Sequence, residues 1–474
     1  MKNSIKHIKC KIIVECENRT LLFIYGESML SAQIKEILKQ ASDIIYLDLF
    51  IGGDSDKPAL LVAVDGLVNL RSVNDDILKP LSSRGTAFHA AQSEKTDPLE
   101  IVSDILAGNT ALILDGQSKA VIFDARGFDK RGISEPGSEN VIKGPKDSFI
   151  EAMRTNTALI RRRLNTPDLR IIDVKAGTEV KTNVAVIYLE GAAENEKVTE
   201  VLSRLEAITE RIIKSTSSIE ESLKDSRWSI FPQVMYTERP DKLCANIAEG
   251  KIGILVDGYP IAFIVPAVFN MLFQSGEDYS QNYAHGSYVR LLRYAGAFLS
   301  LVIPAFYVGI TTFHHEMLPT NLMLAIIKSK QSVSFSTFLE VFSLLIAFEI
   351  LIETGIRLPK SIGQAVSIIG GLVVGEAAVS AKLISPAIVV VVAVTGICGF
   401  VACNGDLANS FRITRVLMLI CAGFAGLYGL SLGLIFMLYY LCRTTSLGEP
   451  YMVAYKNGDS AVKDGLLRLP HNKE

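Results

Sequence analysis

The sequence predicts an α/β (α+β) N-terminal region of two subdomains, cytoplasmic, followed by an α-helical multi-spanning transmembrane domain. Three observations lead there. Charged residues recur every few positions up to about residue 290. Beyond that point the runs 294–313, 383–405 and 416–442 contain no Asp, Glu, Lys or Arg, and each is long enough to cross ~30 Å of hydrocarbon at ~1.5 Å per residue. In the first half, strand-like and helix-like apolar periodicities alternate.

Taken in order, the N-terminus MKNSIKHIKCKIIVECENRTLLFIY has no apolar core of signal-peptide length, so the first half is expected to stay in the cytosol. YLDLF at 46–50 and LLVAVDGLV at 60–68 read as strands of a first subdomain, residues 1–92. A second subdomain, residues 93–245, carries helices expected over 148–164 and 196–213, the latter presenting Val198, Val201, Leu202, Leu205, Ile208 and Ile212 on one face. A short pattern occurs twice. Gly108 is followed by Asp115-Gly116, and Gly250 by Asp257-Gly258, at the same spacing between β-branched runs. Asp-Gly supplies the positive φ angles of a tight hairpin turn, so both are predicted hairpins. That reading keeps 252–273 out of the membrane despite its hydropathy, because Asp257, Gly258, Pro260 and Pro266 interrupt it. The hairpin and a connector occupy 246–288, the transmembrane domain 289–443 with about five membrane segments, and a C-terminal tail 444–474.

The net charge of −2 carries no information about nucleic acid, and no basic stripe interleaved with aromatics suggests such a partner. Cys10, Cys16 and Cys244 are scattered, Cys398, Cys403, Cys421 and Cys442 lie in apolar runs, and no CxxC pair offers a metal site. Phosphate-loop, dinucleotide, GxSxG and HExxH patterns are missing from the sequence. No catalytic residue, cofactor or metal is therefore expected, and the chain is not expected to be an enzyme. His314 and His315 beside Glu316 read as polar residues at a membrane boundary.

The membrane half holds the candidate functional residues. In RLPKSIGQAVSIIGGLVVGEAAVSAK, residues 357–382, helical geometry puts Gln364, Ser367, Gly371, Gly375, Ala378 and Lys382 on one small, polar stripe. Such a stripe serves either as a seam for close helix approach or as a face toward a water-filled pore. Glu376 points about 120° away from it, toward a neighbouring helix or a cavity, and a carboxylate at lipid depth is costly enough to need a partner or a function. Glu349, Glu353 and Arg357, spaced i, i+4, i+8, share a helix face, with an ion pair expected between the last two. Glu340 falls on the opposite face and is expected to need only solvent. Arg290, Arg293, Arg412 and Arg415 flank spans on the cytosolic side by the positive-inside rule, and the side of the tail stays open.

Ordered motifs run through most of the chain: IFPQVMYTERPDKL at 230–243, LVDGYPIAFIVPAVF at 255–269, GEDY at 276–279, PAFYVGITTFHHEMLP at 304–319, FEILIETGIRLP at 348–359, IIGGLVVGEAAVSAKLISP at 368–386 and SLGEPY at 446–451. Together they resemble the A subunits of GerA-type spore germinant receptors. The resemblance implies a cytoplasmic N-terminal domain and a multi-pass domain in the spore inner membrane. It also implies a B subunit similar to amino-acid transporters, a C-subunit lipoprotein, and a homo-oligomer of A subunits acting as a nutrient-gated cation channel. IIKSKQSVSFSTF departs from the family pattern, placing lysine where arginine is common. Two alternatives stay open: an ion-coupled carrier using Glu376 and Glu349, and a related non-receptor channel subunit of the spore membrane.

Overall fold

The computed structural model describes residues 11–16, 19–24, 29–50, 58–82, 91–114, 116–127, 139, 141, 143–331, 333–359, 375–401, 403–452 and 465–468. The chain divides into two compact units, the first of residues 1–140, 145–223 and 236–265, the second of 141–144, 224–235 and 266–474.

In the first unit a hairpin of β1 (Lys11–Cys16) and β2 (Arg19–Ile24) precedes two five-stranded sheets. The first sheet has the order β3 (Ile44–Phe50), β4 (Pro58–Val64), β6 (Thr110–Leu114), β7 (Ala120–Phe123), β5 (Ala91–Lys95), each pair antiparallel. Strand alternation divides its side chains between two cores. Leu60, Val62 and Val64 pack with α1 (Met29–Ile37) and α2 (Pro98–Leu106), whereas Leu61, Ala63 and Leu112 pack with Val73, Ile77 and Leu81 of a helical stretch over 70–82. Covered on both faces, β4 reads as a continuous apolar run, PALLVAV. The second sheet has the order β10 (Met235–Thr237), β12 (Ala262–Val265), β11 (Ile252–Val256), β9 (Thr182–Leu189), β8 (Leu169–Ala176).

Both Asp-Gly repeats form antiparallel hairpins, β6–β7 and β11–β12, with Gly116 at φ 76° and Gly258 at φ 85°. The leading glycines are also left-handed, and a Cβ on Gly250 would lie 2.5 Å from the Ala192 carbonyl oxygen. The expected subdomain edges shift. β5 runs across the 92/93 boundary, and β11–β12 completes the second sheet instead of forming a connector. Two helices are shorter than their apolar patterns. α3 (Met153–Arg163) starts five residues late because Phe149 N–H bonds Glu238 O and the Asn156 side chain holds both Ile150 backbone groups. α4 (Asn195–Glu206) stops before Ile208, where the Glu210 and Arg211 carbonyls accept the N–H groups of Thr178, Glu179 and Val180.

The second unit is helical: α5 (Gly276–Ser280), α6 (Tyr283–Thr312), α7 (Thr320–Lys330), α8 (Thr337–Arg357), α9 (375–380), α10 (Pro386–Gly399), and a helix over Gly405–Arg443. The last is broken at Ala425 (φ −129°, ψ 15°) and Gly426 (φ 60°, ψ −140°) into α11 (405–424) and α12 (427–443). The halves fold back on one another. A Cβ on Gly429 would sit 2.0 Å from the Cys421 carbonyl oxygen, and one on Gly433 2.7 Å from Met418 Sδ. At the open end of this pair Phe231 lies 6.1 Å, centroid to centroid, from both Phe411 and Tyr440. The uncharged run 416–442 is thus a helical hairpin, not one straight span.

Further contacts orient the other helices. Gly309 abuts Gly426 and Leu427, Phe338 abuts Gly423, Phe348 abuts Gly396, and Arg415 abuts Gly399. These define a far end, with the C-terminus of α6, the N-termini of α8 and α10 and the α11–α12 turn, and a near end with the reverse termini. Arg357 closes α8 at the near end, and Ser385 opens α10 at the far end.

The tail closes the near end. β13 (Thr445–Ser446) and β14 (Glu449–Pro450) form a hairpin whose loop, Leu447 (φ 46°) and Gly448 (φ 72°), has the two positive φ angles of a type I′ turn. Ser446 Oγ donates to Gln233 O (2.6 Å) and accepts from Ala267 N (2.9 Å), while Tyr451 OH donates to Pro232 O (2.7 Å). IFPQV and SLGEPY, far apart in sequence, therefore meet.

Candidate functional site

Gln364, Ser367 and Gly371 lie outside the described residues. Of the remaining stripe, Gly375 faces Val389 at 3.9 Å and Ala378 packs against the core of Val308, Val341, Ile388 and Leu419. Both positions lie against neighbouring helices of the same subunit. Lys382 occupies C′ of a Schellman-type cap, its N–H bonding Val379 O and that of Leu383 bonding Ala378 O, with φ 56° at a place where glycine is the common solution. Lys382 is exposed, and so is Glu376, on the opposite side of α9 from Ala378.

The three charges of α8 separate into two groups. Arg357 Nη2 is 2.6 Å from Glu353 Oε1 on an exposed turn. Glu349 instead turns to the hairpin, 3.7 Å from Arg412 Nε and 3.8 Å from Arg415 Nη1, with Arg415 buried.

Two clusters escaped the sequence reading. Glu340 is 0% exposed, contrary to the expectation that solvent would suffice. Its Oε2 accepts Ser385 N–H at 2.8 Å, anchoring the N-terminus of α10, while Oε1 lies 3.7 Å from Lys330 Nζ and takes no hydrogen bond. Pro386, first residue of α10, has no N–H to offer, so Glu340 meets the neighbouring donor and the positive end of that helix. A helical wheel contained the signal, since Glu340 falls on the stripe of Val341, Leu344, Leu345 and Phe348 that becomes the core. The second cluster is a near-end knot around Asp278 of GEDY. Asp278 caps α5, sits 2.7 Å from Arg293 Nη1 and 3.4 Å from Arg290 Nε, and its carbonyl accepts from Arg468 Nη1 at 2.6 Å. Arg290 and Arg293, read from sequence as boundary charges, are thereby buried structural groups.

Comparison with known proteins follows the same motifs. The family model described as Bacillus/Clostridium GerA spore germination protein matches residues 32–474. "Spore germination protein KA" of Bacillus subtilis (strain 168) is 37% identical over 456 residues, 93% of this chain and 84% of that protein. "Uncharacterized membrane protein YfkQ" of the same organism is 34% identical over 445 residues, 90% of this chain and 86% of that protein. Among solved structures, the N-terminal domain of the A subunit of the Bacillus megaterium spore germinant receptor GerK3 is 28% identical with a TM-score of 0.39, covering 50% of this chain and 93% of that one. With a family match over nearly its whole length, the chain belongs to the GerA family of spore germination proteins.

Proposed function

We propose that the chain is the membrane-embedded A subunit of a nutrient-sensing spore germinant receptor and that copies of it form a nutrient-gated cation channel. In this reading it sits in the spore inner membrane with its N-terminal unit in the cytosol. It works with a transporter-like B subunit and a lipoprotein C subunit. In this reading α6, α8, α10, α11 and α12 each cross the membrane. Both α6 and α12 then open on the side where the tail is tied. The expectation of about five segments counted 416–442 as one, and that run turns back at Gly426.

One observation carries the channel reading. Glu376 is exposed on a helical body whose surface elsewhere presents Val390, Ile397, Tyr428, Ile435 and Phe436. Lipid would charge a heavy cost for that carboxylate, whereas a water-filled axis shared by several copies would hydrate it and attract cations. Reconstituted protein should show unitary, nutrient-dependent currents, and Glu376→Gln should lower cation selectivity. Solute uptake without unitary steps would replace the channel with a carrier. The likeness to a membrane protein of no stated role supports a second reading, a non-receptor subunit of the same build. In that case deleting the gene would leave nutrient-triggered germination intact.

A further inference from the structure

Among the described residues, the far end of the helical unit holds a cavity of about 540 Å³, within the size range of small-molecule sites. Its polar wall comes from three elements: Thr311 and Thr312 at the end of α6, Lys330 at the end of α7, and Ser336 and Thr337 at the start of α8. Phe338, Gly423 and Phe424 form the apolar wall. We propose that this cavity binds a small ligand bearing a carboxylate and a short apolar group, with the carboxylate held by Lys330 and the N-terminus of α8.

The reasons are electrostatic and geometric. An ammonium group has three N–H donors. Lys330 gives one to Thr337 Oγ1, and Glu340 at 3.7 Å is beyond hydrogen-bond length, so donor capacity faces the cavity. The first N–H groups of α8, a 21-residue helix, lack intrahelical acceptors, and Ser336 Oγ satisfies only that of Leu339 at 3.4 Å. The helix dipole adds positive potential at the same place. Two cationic sources and the hydroxyls of Thr312, Ser336 and Thr337 select an anion that also accepts hydrogen bonds, that of Thr311 being donated to Tyr307 O, and the phenyl walls select an apolar body beside it.

Occupation would have a consequence beyond the cavity. A ligand carboxylate competes with Glu340 for Lys330, and Glu340 anchors Ser385 at the start of α10. A pull on Lys330 thus changes the charge balance at the joint between α8 and α10, next to the α9 cap at Lys382. Occupancy and helix position are linked by the difference in ligand affinity between the two arrangements, as in any allosteric pair. The site would serve the receptor reading above, yet binding to it is measured without ion flow, so each fails separately.

The test uses the full chain in detergent. Isovalerate and its uncharged counterpart isovaleramide are the probes, and protection against thermal unfolding is the readout. Isovalerate should raise the unfolding midpoint in a saturable way, because it binds the folded state alone. Isovaleramide at the same concentration should leave the midpoint unchanged. Removing Lys330 alone would strand the buried Glu340 charge, so the variant of choice is the double substitution Lys330→Met with Glu340→Gln, which should abolish protection. Lys330→Arg should retain it. Equal protection by acid and amide, protection surviving in the double variant, or no protection at concentrations saturating a millimolar site would each overturn the proposal.

Discussion

The Asp43–Arg161 pair of the first unit and the Glu340 and Glu349 pairs of the second are built in opposite ways. In the first, Arg161 and Asp43 are both buried and meet in a two-pronged pair at 2.9 and 2.8 Å, while Arg161 Nη1 donates to Thr166 O and Leu169 O. In the second, Glu340 and Glu349 face their cations at 3.7–3.8 Å, too far for hydrogen bonds. A forked pair with four of its five donors used has one geometry and resists change. A pair held at longer range keeps Coulomb attraction over many arrangements, so helices can shift at low electrostatic cost. The contrast is between a locked pair and two pairs that leave their helices freer to shift.

Breaking the tight pair should produce the largest effect. Arg161→Met leaves the Asp43 carboxylate buried and alone, at a cost of about 3–5 kcal/mol, measured by urea unfolding of a fragment covering residues 1–265. A loss below 1 kcal/mol would mean that the first unit is not locked by this pair. The helical hairpin sharpens the comparison from the other side, since its rigidity comes from close backbone approach. Gly429→Ala, whose Cβ would meet Cys421 O at 2.0 Å, should lower the thermal stability of the detergent-solubilised chain by about 1–3 kcal/mol, the usual scale of overpacking. Leu432→Ala, at an exposed position of the same hairpin, should cost far less. The smallest effect is a gain. Lys382→Gly relieves a left-handed lysine and should stabilise the helical unit by about 1 kcal/mol, and any loss of channel response in that variant would show that the strained lysine is functional.

What was legible in the sequence follows from how loudly each feature breaks a pattern. The Asp-Gly hairpins were readable because their turn chemistry is local and their strands are β-branched. The apolar body of the second unit was readable because long stretches without charge are rare outside membranes. The turn at Ala425–Gly426 was silent, because FAGLYGLSLG is as apolar as the helices it joins and hydropathy does not register a change of direction. Glu340 was misplaced by treating nearness to a span end as exposure, when its wheel position lay among core residues. The Asp278 knot was out of reach for another reason: Arg468 lies 190 residues from the carbonyl it bonds, and no local pattern announces such a meeting. Both shortened helices lost their ends to tertiary hydrogen bonds that periodicity cannot see.

The account depends most on the α11–α12 turn lying on the face opposite the tail. Single cysteines at Ala425 and at Gly448, in a chain free of other cysteines, can be labelled with a membrane-impermeant maleimide in sealed vesicles of known orientation. The account predicts that the cysteines at 425 and 448 each react from one face only, and from opposite faces. Reaction of both from the same side would contradict it.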